Sequence, residues 1–337
     1  MANKITSLDV ARRAGVSQSA VSRVFSGASA SAATAEKVRR AADELGYRPN
    51  SLARAMITGK SRMIGLVVAY LDNQFYPVAM EKLATALQER GYHVLLFMAG
   101  NDPERVETVV QELMDYQVEG IVTASVGMSN DVVMRCESAG IPVVMFNRGQ
   151  HDARLSEVTS DNIAGGRAVA NFLVAGGHRR IAHIAGWQGS STGQDRTAGF
   201  LGGLRDLGTD AVAVEDGLYK RETAADLARG LFSRADRPDA VFVGNDHMAF
   251  AVLDVLRFEL GLSVPGDVSV VGYDDVPMAA WSAYDLTTIR QPINRMVEAT
   301  VEAILSRIEG DADPRHIRIP GPLMIRGSAR KPRGFNT

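Results

Sequence analysis

The chain has a single cysteine, Cys136, in 337 residues, which excludes any intrachain disulfide. Its neighbours Val132, Val133 and Met134 mark a packed helix position rather than a nucleophile. No apolar run approaches membrane-spanning length, and the first twenty residues carry Lys4, Asp9, Arg12 and Arg13 where an export signal needs an apolar core. A cytoplasmic protein without a membrane partner is expected. The six histidines, at positions 93, 151, 178, 183, 247 and 316, fall in no H-E-x-x-H or paired-cysteine pattern, so neither a metal nor another cofactor is expected. Internal repeats and low-complexity tracts are missing. Net charge is also scarce, only −2, but this near-neutrality conceals two opposite parts.

Up to Arg62 the chain holds eleven Lys and Arg against four Asp and Glu, and the remainder holds 26 against 35. A basic end is thus joined to an acidic body, the asymmetry of a protein that meets phosphates at one end only. Residues 6–14 read as a short amphipathic helix, Ala14-Gly15-Val16 as a tight turn, and Ser17-Gln18-Ser19-Ala20-Val21-Ser22-Arg23 as the start of a second helix. Ala11, Gly15 and Val21 have helix-turn-helix spacing, since the helices pack closely only over a small residue and the turn takes a positive φ most readily at glycine. Val10, Ala14, Val21, Val24 and Phe25 supply the apolar faces. Ser17 is a natural N-cap, which puts Gln18, Ser19, Ser22 and Arg23 where a recognition helix meets base edges. A third helix at 31–45 has Val38, Ala41, Ala42 and Leu45 at helical spacing and Gly46 to end it. The stretch 47–56 contains Pro49 and is too short for a stable helix alone, so it is expected to become helical only against a partner or DNA. Residues 58–62 read as a linker.

From Met63 onward, short apolar runs alternate with amphipathic stretches. Residues 64–68, 94–97, 120–122, 142–146, 181–185, 240–243 and 268–271 read as buried parallel strands, and 79–90, 163–175 and 247–260 as helices between them, a βαβ architecture. Gly91, Gly140, Gly177, Gly208 and Gly261 sit where glycines end helices. One more helix at 296–305 is followed by two short strands, 318–320 and 323–326, and the basic end Arg330-Lys331-Pro332-Arg333 reads as a solvated tail. No leucine heptad follows, so nothing asks for more than a dimer. Ligands bind at the carboxyl ends of strands in such sheets, and the residues there are polar: 72–76, Asn101, Ser125, Asn147-Arg148, 187–196, Asn245-Asp246, 273–275 and Gln291. Carboxylates, amides and arginines can grip vicinal hydroxyls while Phe75, Tyr76, Trp187 or Trp281 covers an apolar ring face.

Taken together, Val10-Ala11, Gly15-Val16-Ser17, Val21-Ser22-Arg23-Val24, Leu45-Gly46-Tyr47-Arg48-Pro49-Asn50 and Leu52-Ala53-Arg54 resemble the LacI/GalR family of bacterial repressors, and the likeness runs through nearly the whole chain. The resemblance implies an α/β protein in two parts. One is an all-α helix-turn-helix headpiece at 1–62 with a hinge helix at about 49–57. The other is a body at 63–337 with the two-lobed fold of periplasmic binding proteins, parallel sheets flanked by helices, the N-lobe about 63–161 plus 292–321 and the C-lobe about 162–291 plus 322–330. It puts Gln18 and Ser19 on base-reading positions and Arg23 on a guanine contact, with Thr6, Ser17 and Ser22 beside them at the DNA. Asn50, Ala53, Arg54 and Met56 fall on the hinge helix, which pairs with its twin in the minor groove. Ala20 stands where threonine is usual, removing a polar contact at the DNA surface, and Met56 replaces a leucine that wedges the central base step, a role a long apolar side chain can keep. In the body, Asn73, Phe75, Asn147, Arg148, Asp161, Arg196, Asn245, Asp274 and Gln291 match effector-pocket positions, with Gln74 replacing the usual proline of the first loop. Arg148 and Arg196 could select an acidic effector, but arginines also hold neutral sugars in this family. The implied function is a homodimeric repressor at the nucleoid that binds a palindromic double-stranded operator under control of a small sugar-like effector, and not an enzyme.

Two rival readings come from other classes. Gly189-Ser190-Ser191-Thr192-Gly193 fits the G-x-S-x-G elbow of an α/β hydrolase with Ser191 as nucleophile, yet Gly186-Trp187-Gln188 separates it from the strand and no glycine-rich oxyanion segment precedes it. A non-regulatory binding protein explains the body alone, but such proteins are exported. Thr58-Gly59-Lys60-Ser61 mimics the end of a phosphate loop, with Arg54 where the first glycine belongs.

Overall fold

The computed structural model describes residues 5–26, 29–48, 60–150, 152–311 and 313–333. The chain divides between Arg62 and Met63 into two compact units.

Three helices form the first unit, α1 (Ser7–Ala14), α2 (Gln18–Ser26) and α3 (Ala32–Leu45), and their end signals set them. The Thr6 backbone N–H and hydroxyl both reach the Asp9 carboxylate, at 2.9 and 2.7 Å, and the Asp9 N–H returns to the Thr6 hydroxyl, satisfying donors that the first turn leaves unpaired. The Ser17 hydroxyl accepts the Ala20 N–H at 3.2 Å to open α2, and Ser31 accepts the Thr34 N–H to open α3. Gly15 (φ 65°) and Gly46 (φ 67°) leave α1 and α3 through the left-handed region. Val10, Ala11, Val21, Val38, Ala41 and Ala42 form the buried core. Half of it is alanine, so the helices approach closely, and the three valines supply most of the apolar stabilisation at about 1.5–3 kcal/mol each. The hinge segment 49–57, with Asn50, Ala53, Arg54 and Met56, lies outside the described residues.

The second unit alternates strands and helices: β1 (Met63–Val68), α4 (Phe75–Glu89), β2 (His93–Met98), α5 (Pro103–Asp115), β3 (Gly120–Ala124), α6 (Asn130–Ser138), β4 (Val143–Phe146), β5 (Ser156–Ser160), α7 (Asn162–Ala175), β6 (Ile181–Ala185), α8 (Ser191–Asp206), β7 (Ala213–Asp216), α9 (Arg221–Phe232), β8 (Ala240–Val243), α10 (Asp246–Asp254), β9 (Ser269–Asp274), β10 (Thr287–Arg290), α11 (Ile293–Ile308), β11 (His316–Ile319) and β12 (Leu323–Met324). Two six-stranded sheets result, β11-β5-β4-β3-β1-β2 in an N-lobe and β12-β10-β9-β8-β6-β7 in a C-lobe. All neighbours are parallel except β12, which runs antiparallel to β10. The chain passes between the lobes three times, after β5, after β10 and after β11. β3, β4, β6, β8 and β9 are buried along their length, and β1 from Ile64 on, because helices cover both faces of the sheet. Among the described residues no helix is long and apolar enough to cross a membrane.

Several sequence expectations need correction here. β2 is an edge strand, with Leu96 48% and Met98 38% exposed, not a buried one. Helix α4 begins at Phe75 rather than 79, because Pro77 falls in its first turn, where an N–H has no intrahelical acceptor to lose. The basic end is docked rather than a free tail, although Arg330, Lys331 and Arg333 remain exposed: the Arg330 N–H donates to Ser269 Oγ at 3.0 Å, its guanidinium lies 3.1 Å from His178 Nδ1, and Pro332 is buried.

Candidate functional site

In the first unit, α2 buries Val21 in the three-helix core and leaves Gln18, Ser19, Ser22 and Arg23 exposed. Its opening turn is tethered to α1, since Gln18 Nε2 donates to Ser7 Oγ at 3.0 Å, and Ser17 Oγ lies 2.9 Å from Ser19 Oγ. Thr6, exposed at the start of α1, spends its hydroxyl on the cap to Asp9. Ala20, expected to face the DNA, is only 9% exposed and turns toward the interior.

In the second unit, segments that follow the carboxyl ends of strands in both lobes converge. Tyr70, Asn73, Tyr76 and Asn147 from the N-lobe and Thr192, Arg196, Tyr219, Asn245 and Asp274 from the C-lobe line a cavity of about 10 Å³. That is about one water. A larger ligand therefore enters only as the lobes part. Arg196, 3% exposed, is the centre of the arrangement: Nε donates to Asn162 Oδ1 at 2.9 Å, Nη1 to the Gly244 carbonyl at 2.7 Å, and Nη2 lies 3.3 Å from Asp274 Oδ1. Its guanidinium carbon sits 3.7 Å from the centre of the Tyr273 ring. Asp274 also accepts Gln291 Nε2 at 2.8 Å and, from across the cleft, Asn73 Nδ2 at 3.3 Å. Other contacts between lobes are the Gly149 N–H to Ser191 Oγ at 3.0 Å and Arg148 over the Trp187 ring at 5.5 Å.

Burial raises the pKa of Asp274 and Arg196 draws it back, leaving it above the ordinary carboxylate range. Asp246, behind it, is pushed up further by burial and by the Asp274 charge, although Thr288 Oγ1 and the Val276 N–H donate to it at 2.6 and 3.0 Å. Burial opposes the Arg196 charge, but Tyr219 and Asp274 hold it protonated. Burial also lifts the phenols of Tyr70 and Tyr76, so these two hydroxyls are neutral donors and acceptors. Three buried polar atoms beside the cleft, Asn147 Oδ1, Arg148 Nε and Gln291 Oε1, have no hydrogen-bond partner in the protein. At this depth such atoms call for one.

Residues 6–50 match the family of bacterial regulatory proteins of the lacI type, and residues 170–329 match the periplasmic binding protein-like domain. The HTH-type transcriptional regulator CelR of Thermobifida fusca is 35% identical over 95% of this chain and 96% of its own length. The chain belongs to the LacI family. Two solved structures agree: a CelR–cellobiose complex, 33% identical, covers 96% of this chain and 99% of its own with a TM-score of 0.73. A lac repressor dimer bound to operator and the anti-inducer ONPF, 28% identical, covers 97% and 99% with a TM-score of 0.88. As a member of the LacI family the chain is a DNA-binding transcriptional repressor and not an enzyme.

Of the expected effector residues of this LacI-family body, Asn73, Asn147, Arg196, Asn245 and Asp274 line the cavity, and Gln291 and Arg148 lie beside it, Gln291 bonded to Asp274 and Arg148 donating to the Ser125 carbonyl at 2.6 Å. Phe75 does not line it; its ring packs in the N-lobe core, stacked 6.2 Å from Phe146. Asp161 caps α7 through the Ala164 N–H at 2.9 Å. Gln74 reaches Met278 across the cleft. Tyr70 and Tyr219 were not anticipated. Tyr219 follows a strand whose Glu215 and Asp216 hide it from pattern reading, and Leu218 and Tyr219 take positive φ (55° and 57°) without glycine, which no sequence signal announces. Ser191 is the first residue of α8, directly after the Ser190 cap, and its hydroxyl accepts the Gly149 N–H. His183 bonds the Phe242 carbonyl and Thr197 instead, with its pKa pushed down to about 4 by burial, so it is not placed as a base for Ser191. Burial lifts the Cys136 thiol to about 11. Among the described residues no group of three His, Cys, Asp or Glu could hold a metal ion.

Proposed function

We propose that the chain works at the nucleoid as a homodimeric repressor, reading a near-palindromic operator through paired α2 helices and responding to a neutral, hydroxyl-rich ligand of the sugar class in the interlobe cleft. The observation that carries the ligand reading is the charge balance of the cavity wall. Its one cation, Arg196, faces its one carboxylate, Asp274, at 3.3 Å, so an acidic ligand would bury an uncompensated charge. The other arginine, Arg148, is turned to the Ser125 carbonyl and the Trp187 ring. Amides, tyrosine and threonine hydroxyls and the ion pair together offer the mixed donors and acceptors that hydroxyl groups need. The cellobiose of the CelR complex is a ligand of that chemistry.

Exposed large apolar side chains support a dimer. Phe258 is 81% and Trp281 55% exposed on the C-lobe, and Leu96 and Met98 lie on the open β2 edge of the N-lobe. Two copies related by a two-fold axis demand a two-fold related pair of half-sites. The lac repressor dimer on its operator is an assembly of that kind.

The test is a thermal-shift panel of neutral mono- and disaccharides, sugar acids and sugar phosphates on the full-length chain. It is followed by affinity for a duplex selected from a randomised pool, with and without the sugar that shifts most. A neutral sugar is expected to raise the melting temperature and change duplex affinity at least about tenfold, within the usual range of coupling between sites. Stabilisation by acidic members alone, or an unmoved duplex affinity, overturns the reading.

A further inference from the structure

We propose that Asn162 is a positioning residue that ties the cleft arginine, Arg196, to the segments by which the chain passes between the lobes. The wiring stands on its own bonds; that a cleft ligand sets it in motion rests on the function proposed above. Asn162 is 3% exposed and opens α7 directly after the first passage. Its amide is used at both ends: Oδ1 accepts Arg196 Nε–H at 2.9 Å, and Nδ2 donates to the Ser160 carbonyl at 3.1 Å. A flipped amide would set donor against donor and acceptor against acceptor, so only one orientation fits.

The same arginine reaches the second passage. Asp274 accepts both Arg196 and Gln291, and Gln291 lies between β10 and α11, where the chain returns to the N-lobe. Tyr273 closes a ring: it lies under the Arg196 guanidinium, and its hydroxyl is 3.3 Å from Ser160 Oγ at the end of the N-lobe strand β5.

Helices α7 and α8 cannot absorb a displacement of Arg196 by sliding. A Cβ on Gly199 would lie 2.2 Å from the Ile163 carbonyl oxygen, and one on Gly166 2.4 Å from that of Arg196, so the helices touch backbone to backbone. A ligand that draws the guanidinium toward the cleft must therefore move the Asn162 bond, and the first passage with it. Because Asp274 holds Gln291, the second passage follows.

Hydrogen–deuterium exchange of the full-length chain, read by mass spectrometry, tests this without any ligand. In Asn162→Ala, exchange should quicken about tenfold or more in residues 160–166 and also in 289–294, to which Arg196, Asp274 and Gln291 connect it. Gln291→Leu should act in reverse and loosen 160–166, and it decides the matter if Asn162→Ala fails to fold. Faster exchange confined to the segment of the substitution, in either variant, would make each residue a local support and overturn the proposal. A chain that ignores every sugar yet shows linked exchange keeps the wiring and loses only the proposed ligand.

Discussion

Removing Arg196 alone should cost more than removing it together with Asp274. Both are at least 95% buried, and the arginine holds Asn162, the Gly244 carbonyl and Asp274. In Arg196→Leu, Asp274 keeps Asn73 and Gln291 but loses the cation beside it, and breaking a buried pair from one side costs about 3–5 kcal/mol. Set against a total stability on the order of 5–15 kcal/mol, the variant stays folded with a large deficit. With a urea slope of about 3 kcal/mol per molar, the midpoint should fall by roughly 1–1.7 M, followed through the fluorescence of Trp187 and Trp281. Acid should narrow the deficit. Burial already holds the Asp274 pKa above its ordinary value, and without Arg196 it climbs further. A carboxyl whose folded pKa is raised contributes stability at low pH and loses it as pH rises through the folded pKa, so the variant should recover on going from pH 7.5 to pH 5. Arg196→Leu with Asp274→Leu removes both charges and should unfold less readily than the single variant at pH 7.5. A deficit under about 1 kcal/mol, one indifferent to pH, or a double variant weaker than the single would refute the reasoning.

Three further outcomes are expected. Arg23→Ala should weaken operator binding by about 1–3 kcal/mol and relax preference at one base pair per half-site; equal loss on every sequence, measured by competition on variant duplexes, would leave Arg23 a phosphate contact only. Asp246→Asn mimics the protonated acid that burial favours, so the fall in stability from about pH 4 upward, about 1.4 kcal/mol per unit until the folded pKa is reached, should flatten in urea titrations; an unchanged slope would show that Asp246 is ionised in the fold. Gly199→Ala should destabilise by about 1–3 kcal/mol because its methyl meets the Ile163 backbone, while Gly230→Ala, in α9 with open space around it, should stabilise by up to about 1 kcal/mol; equal melting temperatures for the two would deny the close helix contact.

What the sequence disclosed follows from burial. Strands covered on both faces are mostly apolar, so Met63–Val68 or Ala240–Val243 stand out as runs. Ser156–Ser160 is as deeply buried yet reads as a loop, since its polar side chains find partners only in the folded chain: Ser156 Oγ accepts Arg307 and the Arg315 N–H, and Ser160 meets Tyr273. Thr287 and Thr288 hide β10 for the same reason, with Arg326 and Asp246 as partners. Helix ends were legible because they are local chemistry: Ser17, Ser31, Gly15, Gly46 and the glycines at 91, 140, 177, 208 and 261 all serve there, the glycines with positive φ. In the cleft, the polar residues at strand ends could be named, since position along a strand fixes them. Their pairing could not, because Asn73 and Asp274 meet only when two separate sheets face each other. Phe75, matched to the pocket by family resemblance alone, packs from the first turn of α4 against Phe146 in the N-lobe core.

Repression by this chain requires a basic reader that works in duplicate on symmetric DNA. Sedimentation equilibrium of the full-length chain with duplexes selected from a randomised pool, at two salt concentrations, tests it most directly. Two chains per duplex, a two-fold related sequence among the selected sites, and affinity that drops steeply with salt are expected. One chain per duplex, or binding indifferent to both symmetry and salt, would contradict it.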